Sequence, residues 1–198
     1  MRLKDKIKTI PYLDKISSLA KKSGIKAWLV GGALRDMFIK RNEEITDFDF
    51  CVDHNTFSFA LKFGKLVKSK MIVLDSEQKS YRVIIKRKDK FYTYDFTRMR
   101  GKDLESDLLS RDFTVNTLAL SLNDMPNIKI IDLLGARRDL ISKRIKVVNE
   151  PVLKDDPLRI LRAFSLSCLY GFRIEKKTEM LLVKYKKLLS KVSKERIN

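Results

Sequence analysis

The chain has 198 residues, of which 43 are Lys or Arg and 25 are Asp or Glu, so its formal net charge is +18. This length is enough to bury a core in one or two domains. The excess of positive charge favours a polyanionic partner, such as RNA, DNA, an anionic membrane or nucleoside phosphates, over a merely well-solvated surface. The single histidine, His54, leaves little from which a His-based triad or zinc site could be built.

The two cysteines, Cys51 and Cys168, are far apart and have no CxxC spacing. This predicts neither a metal framework nor a disulfide-linked partner. No segment approaches the roughly 18 apolar residues of a membrane span, and the first ten residues, MRLKDKIKTI, lack the apolar stretch of a signal peptide. These features together predict a cytoplasmic protein with no membrane partner.

Helices and short strands alternate in the predicted elements up to residue 148. Apolar residues at helical spacing predict helices, and short apolar runs predict strands. The charged segment Lys86–Lys90 predicts a turn between two strands. In chain order the elements are a helix over 13–22, a strand over 27–30, a helix over 33–40, a strand over 48–52, a helix over 55–63, and strands over 71–74, 81–86, 92–96, 117–122, 128–132 and 145–148.

The pattern becomes helical after Pro151. Apolar residues at helical spacing predict a helix over 157–170, which Gly171 would end, and a second helix over 175–190. A third helix is predicted to begin at Ser193. The sequence therefore predicts a mixed α/β unit over residues 1–148, followed by an all-helical segment over residues 149–198.

A pair of glycines, Gly31 and Gly32, separates the first predicted strand from the next helix. Glycines at this position let backbone N–H groups approach a phosphate, and a helix start adds partial positive charge. Arg35, in the first turn of the helix, would add a guanidinium. An ordinary turn explains the two glycines equally well.

Two acids alternate with two aromatic residues in the segment Asp47-Phe48-Asp49-Phe50. Residues two apart in a strand point to the same face, so both carboxylates would project together while the rings enter the core. Their mutual repulsion would be relieved by a cation, and Mg²⁺ prefers oxygen ligands of this kind. Two exposed charges at the start of a strand are the alternative.

A third acid, Asp95, lies in the strand-like segment Tyr94–Phe96. Three acids with two metal ions are the parts required for in-line phosphoryl transfer. A solvent-facing acid on an edge strand is the simpler interpretation of Asp95 alone.

The segment 111–116, RDFTVN, groups Arg111, Asp112 and Asn116 at the start of a short predicted helix. Arg can bind a phosphate with two hydrogen bonds, and Asp or Asn can bind ribose hydroxyls. An N-cap with an ordinary ion pair would leave the same pattern.

The segment 155–162, DDPLRILR, places Asp156 and Arg159 three residues apart, which makes them neighbours on one edge of a helix. An Asp acceptor beside an Arg donor complements the base edges of cytosine and adenine and mismatches those of guanine and uracil. Because Pro157 suits the first helical position, Asp156 could also be a simple N-cap.

The order GGxxRD, DxD, single acid, RDFTxN and DDPxRxxR, over residues 28–174, resembles the class II tRNA CCA-adding nucleotidyltransferases and the closely similar bacterial poly(A) polymerases. The resemblance implies a polymerase-β-like head with a small mixed sheet (residues 1–148) and an all-helical neck (149–198). It also implies two Mg²⁺ ions, ATP and CTP as substrates, and the tRNA 3′ end as partner. The chain ends within what would be a neck helix, so we expect a fragment.

The resemblance also implies roles for particular residues. The catalytic acids would be Asp47, Asp49 and Asp95, with the first two as the metal ligands. The nucleotide-binding residues would be Gly31, Gly32, Arg35, Arg111, Asp112, Asn116, Asp156, Arg159 and Arg162. Three positions depart from the family pattern without removing a ligand: Asp155 stands where Glu is frequent, Ser165 where another Arg is frequent, and Thr117 where Ala is usual.

The function that this resemblance implies is template-independent addition of C, A or both to tRNA 3′ ends. Enzymes that add only CC or only the final A are a variant of this hypothesis. Poly(A) addition to RNA is an alternative within the same chemistry. A non-catalytic basic RNA-binding module with the same fold is an alternative from a different class.

Overall fold

A computed structural model describes residues 3–39 and 44–193. The chain divides into two compact units, Met1–Leu104 with Leu118–Ile131, and Glu105–Thr117 with Asp132–Asn198. The domain boundary between residues 148 and 149 stays a prediction. Among the described residues, no helix combines the length and the apolar character that a bilayer crossing requires.

Seven strands form one sheet in the first unit. They are β1 (Ala27–Val30), β2 (Asp47–Val52), β3 (Met71–Asp75), β4 (Ser80–Arg87), β5 (Lys90–Arg98), β6 (Ala119–Ser121) and β7 (Ile130–Ile131). Their order across the sheet is β3-β4-β5-β2-β1-β6-β7. Strands β2 and β5 run parallel, and every other neighbouring pair is antiparallel. The predicted mixed α/β fold with a mixed sheet is confirmed.

Among the described residues of the first unit, four helices accompany this sheet, and three of them follow the predicted pattern. They are α1 (Leu3–Lys8), α2 (Leu13–Ser23), α3 (Gly32–Phe38) and α4 (Thr56–Leu66). The short α1 was not predicted. The expected extension of α3 to Lys40 lies outside the described residues.

An aromatic core occupies one face of β2 and β5. Every second side chain of a strand points to the same face of the sheet, which brings the aromatic residues together. Phe50 and Phe96 stack with ring centroids 5.1 Å apart, and Phe63 of α4 lies 5.4 Å from Phe96. Tyr94, also in this cluster, donates a 3.0 Å hydrogen bond to the carbonyl oxygen of Pro11, and burial raises the pKa of its phenol. The opposite face of these strands therefore carries their polar side chains.

The second unit is mainly helical. Its helices are α5 (Leu104–Leu109), α6 (Ala136–Ile141), α7 (Pro151–Asp155), α8 (Leu158–Tyr170) and α9 (Lys176–Tyr185), with 3₁₀ turns at Thr114–Asn116 and Lys186–Lys191. α8 ends at Gly171, as predicted, with φ near 63°. The helix expected over 175–190 is divided into α9 and a 3₁₀ turn, and the helix expected from Ser193 falls largely outside the described residues.

The expectation of an all-helical segment after residue 148 is not met. A short strand, β9 (Arg173–Ile174), pairs in parallel with β8 (Arg144–Ile145). The Arg173 N–H donates to the Lys143 carbonyl at 2.9 Å, and the Glu175 N–H donates to the Ile145 carbonyl at 2.9 Å. Between α8 and the next helix, the backbone groups of the chain therefore form hydrogen bonds with the extended strand β8.

Candidate active site

Strand β2 separates its acids from its aromatic residues. Asp47 and Asp49 are exposed on one face, whereas Phe48 and Phe50 are buried on the other. The Thr93 hydroxyl of the neighbouring strand donates to Asp47, and the Thr46 hydroxyl lies 3.2 Å from the same carboxylate. The predicted projection of both carboxylates to one side is thus what the strand geometry produces.

The third predicted acid, Asp95, lies directly beside Asp49 but is already engaged. Asp49 and Asp95 are register partners across the parallel β2–β5 pair, and Asp95 and Arg82 are register partners across β4–β5. Nε and Nη2 of Arg82 each donate a 2.7 Å hydrogen bond to a different oxygen of Asp95. These bonds, followed by the charges of Asp95, Asp47 and Asp49, raise the pKa of the Arg82 guanidinium.

The predicted phosphate turn is a sharp bend between β1 and α3. Gly31 adopts φ 77° and ψ −145°, a conformation that side chains other than glycine rarely take. The Arg35 side chain packs against Gly32, since a Cβ built on Gly32 would lie 3.2 Å from Nη2 of Arg35. The buried Arg35 guanidinium also donates to both oxygens of Asp36, at 2.8 and 3.2 Å.

An open cavity of about 360 Å³ brings the glycine turn and the carboxylate pair together. Its lining residues are Gly32, Ala33, Arg35, Asp36, Glu44, Ile45, Thr46, Asp47 and Asp49. Every one of them belongs to the first unit. The cavity therefore combines a buried guanidinium with three exposed acids, Glu44, Asp47 and Asp49, and the partly buried Asp36.

A larger cavity of about 690 Å³ in the same unit shares Glu44 and Ile45 with the first. The tip of the β4–β5 hairpin, which is the predicted charged turn, contributes Arg87 to Lys90 to its lining. The Asp47–Asp49 pair lines only the smaller of these two cavities.

The two carboxylates fit a magnesium ion. Mg²⁺ in nucleotide sites is usually held by one or two carboxylates, with water and substrate phosphates completing the coordination. Within residues 3–39 and 44–193, no group of three or more acidic, His or Cys side chains is arranged to hold a metal by itself. The arrangement therefore suits an ion that a nucleotide helps to bind.

In the second unit, Asp112 is the centre of a buried polar cluster. One oxygen of the Asp112 carboxylate accepts two hydrogen bonds, from the backbone N–H of Phe113 at 2.7 Å and from Nδ2 of Asn116 at 2.9 Å. Its other oxygen lies 3.1 Å from Nε of Arg162, an ion pair in which the N–H does not point along a hydrogen bond. Two of the predicted nucleotide-binding residues, Asn116 and Arg162, thus each contact a third, Asp112.

The remaining predicted residues of this unit have local partners. Arg111 pairs with Asp107 at 2.9 Å. Arg159 donates from Nη1 to the Ser110 carbonyl at 3.0 Å. The Asp156 carboxylate accepts the Leu158 N–H at 3.3 Å, so it does cap the start of α8. Whether it also reads a base stays a prediction, as do the roles of the other site residues.

Sequence reasoning did not single out Arg82, although a signal for it was present. If the charged turn is centred on Lys88-Asp89, the strands on its two sides pair antiparallel about that point. The numbers of two paired residues then add up to 177. Arg82 then stands opposite Asp95, on the face away from the buried Tyr81 and Val83. Asp36 enters the sequence prediction only through the GGxxRD pattern, and the structure adds its ion pair with Arg35.

Comparison with known proteins agrees with this geometry. Residues 27–146 match the family model described as the poly A polymerase head domain. The chain is 33% identical over 172 residues to the CC-adding tRNA nucleotidyltransferase of Synechocystis, an alignment that covers 87% of this chain and 40% of the relative. It is also 33% identical over 202 residues to the CCA-adding enzyme of Bacillus subtilis, covering 96% and 48%.

Solved structures show the same likeness. A CCA-adding enzyme in complex with ATP superposes with a TM-score of 0.83 at 27% identity, covering 96% of this chain and 46% of that one. The Thermotoga maritima CCA-adding enzyme complexed with tRNA gives 0.79 at 28% identity, covering 90% and 42%. The chain spans less than half the length of these relatives. It belongs to the family defined by the poly A polymerase head domain, whose matching relatives here are tRNA nucleotidyltransferases.

Proposed function

We propose that this chain carries the catalytic site of a template-independent nucleotidyltransferase that adds C, A or both from CTP and ATP to the 3′ end of tRNA. The observation that carries the proposal is the exposed Asp47–Asp49 pair in a cavity with Gly32 and Arg35. Family membership and the names of the relatives support the same reaction.

In this reaction the terminal 3′-oxygen of the RNA forms a bond to the α-phosphorus of the nucleotide, and the bond to the β-phosphate breaks to release pyrophosphate. Asp47 and Asp49 would hold Mg²⁺, which lowers the pKa of the attacking hydroxyl and offsets charge on the leaving pyrophosphate. The backbone at Gly31 and Gly32 would allow close approach of the triphosphate, and the Arg35 guanidinium, which also donates to Asp36, would lie beside it.

For the second unit, we propose that the polar cluster around Asp112 binds the sugar and base of a nucleotide. Asp112 and Asn116 hold each other by a 2.9 Å hydrogen bond, which restrains both side chains, and the proposal gives them the ribose as ligand. Arg162 and Arg111 would neutralise phosphate charge. The proposal assigns selection of C and A to Asp156 and Arg159, whose donor and acceptor pattern mismatches G and U.

The selection step can be tested without disturbing the helix start. Asp156→Asn keeps an oxygen that accepts the Leu158 N–H, because Asn is as good an N-cap as Asp. It replaces one acceptor toward the base by a donor, so we expect the preference for CTP over UTP to fall about ten-fold or more. The measurement is kcat/KM for each nucleotide. Arg173→Ala, an exposed change in the same unit, is the matched control, and unchanged selectivity in Asp156→Asn would remove this residue from base reading.

The reaction itself is tested by offering labelled CTP and ATP separately with a tRNA that lacks CCA, beside a generic RNA. We expect addition of a few nucleotides to the tRNA and little addition to the generic RNA. Incorporation of all four nucleotides alike would contradict the proposal. Addition of C alone, or of A only to a tRNA ending in CC, would identify a partial activity.

A poly(A) polymerase is the second candidate, since the matching family model carries that name. Long A tails on the generic RNA would favour it. A non-catalytic RNA-binding module would instead bind tRNA without magnesium and incorporate nothing. The net charge of +18 supports an RNA partner in each case, and the cytoplasm is the proposed location.

A further inference from the structure

Arg82 stands at the end of a polar row that crosses three adjacent strands. Asp49 on β2, Asp95 on β5 and Arg82 on β4 are successive register partners, so their side chains share one face of the sheet. Neighbouring strands lie roughly 4.8 Å apart, which keeps the Arg82 charge within reach of the Asp47–Asp49 pair.

The contact between Arg82 and Asp95 is bidentate and uses both carboxylate oxygens. Each bond is 2.7 Å long, at the short end for charge-assisted hydrogen bonds. The Asp95 side chain is 17% exposed, so it is only partly reached by water. If Asp95 were to ligate a metal, it would have to break this contact and leave the Arg82 cation unpaired beside the metal cation.

Arg82 and Asp95 carry opposite charges, so together they are close to neutral. Counted as one unit, the pair adds little to the negative charge that Asp47 and Asp49 bring to this face. Without Arg82, the Asp95 carboxylate would repel the neighbouring Asp49.

We propose that Arg82 and Asp95 act as a fixed, charge-neutral pair that positions Asp49 and sets the metal affinity of the Asp47–Asp49 site, and that Asp95 gives no oxygen to the metal. This inference rests on the proposed metal site. Arg82 and Asp95 are thus positioning residues, and the chain uses two acidic ligands rather than three.

The test measures the dissociation constant for Mn²⁺, as a magnetic stand-in for Mg²⁺, by electron paramagnetic resonance of the full chain without nucleotide turnover. Asp95→Asn leaves an uncompensated cation near the site, so we expect about ten-fold weaker binding. Arg82→Gln removes that cation, so we expect about five-fold tighter binding. The double variant restores the balance, and its affinity should return to within about three-fold of the unmodified chain.

A third-ligand role for Asp95 makes the opposite prediction for the double variant. The double variant would then lack a metal ligand, and its affinity for Mn²⁺ would stay well below the three-fold range of the unmodified chain, which would overturn the inference. Circular dichroism of each variant verifies that the sheet is intact. The matched control is the hydroxyl pair Ser80 and Thr97, which are register partners on the same two strands with oxygens 3.0 Å apart; Ser80→Ala with Thr97→Val should leave Mn²⁺ affinity unchanged.

Asp49→Asn separates failure of the inference from failure of the proposed function. If Asp49→Asn leaves Mn²⁺ binding unchanged, the metal site is elsewhere and both proposals fail. If Asp49→Asn abolishes binding while the double variant stays weak, the metal site stands and only the pairing of Arg82 with Asp95 as a neutral unit is wrong.

Discussion

Asp47→Asn and Asp49→Asn, made separately, are each expected to lower nucleotide incorporation by about 10³-fold or more. Metal stabilisation of the reacting oxygens is worth several kcal/mol, and each 1.36 kcal/mol corresponds to about a factor of ten in rate. Both side chains are exposed, so neither substitution opens the core. The measurement is single-turnover incorporation of labelled CTP or ATP at saturating Mg²⁺.

The fold should survive both of these changes. Neutralising one of two adjacent carboxylates relieves repulsion, so the midpoint of thermal unfolding should be unchanged or slightly raised. Glu77→Gln, which removes one exposed negative charge elsewhere in the same unit, serves as the matched control and should retain full activity. Normal incorporation by either Asp variant would refute its assignment as a metal ligand.

Phe96→Ala is expected to lower the free energy of unfolding by about 4 kcal/mol, in the range measured for buried aromatic residues truncated to Ala. The Phe96 ring is fully buried and lies 5.1 Å from Phe50, 5.5 Å from Phe59 and 5.4 Å from Phe63. Because domains are stable by only about 5–15 kcal/mol, this loss would populate the unfolded state measurably. Urea unfolding followed by circular dichroism gives the value.

Phe91→Ala is the matched control, since Phe91 lies on the same strand and is 61% exposed. Its truncation should change the unfolding free energy by less than about 1 kcal/mol. Equal effects of the two substitutions would show that the aromatic cluster is not the main core of this unit. A large effect of Phe96→Ala also ties stability to the strand that carries Asp95.

Local pattern alone was enough for most elements of the first unit. The alternation Asp-Phe-Asp-Phe predicted both the strand and the shared face of Asp47 and Asp49, because side-chain direction in a strand depends only on its period of two. The helix ending at Gly171 was predicted for a similar reason, since glycine readily takes the positive φ of 63° found there. Short helices such as α1 and α6 escaped prediction because six residues carry too few periods to be recognised.

The partners of the acids were decided by tertiary structure. Parallel pairing of β2 with β5 joins segments about 45 residues apart and puts Asp95 beside Asp49. In the register of β4 with β5, Asp95 stands opposite Arg82. No local propensity encodes a parallel pairing, because the hydrogen bonds that define it form only when distant segments meet. The sequence by itself determined that Asp47 and Asp49 share a face, and its charged turn implied that Arg82 stands opposite Asp95; only the assembled sheet decided that this pair lies beside Asp49.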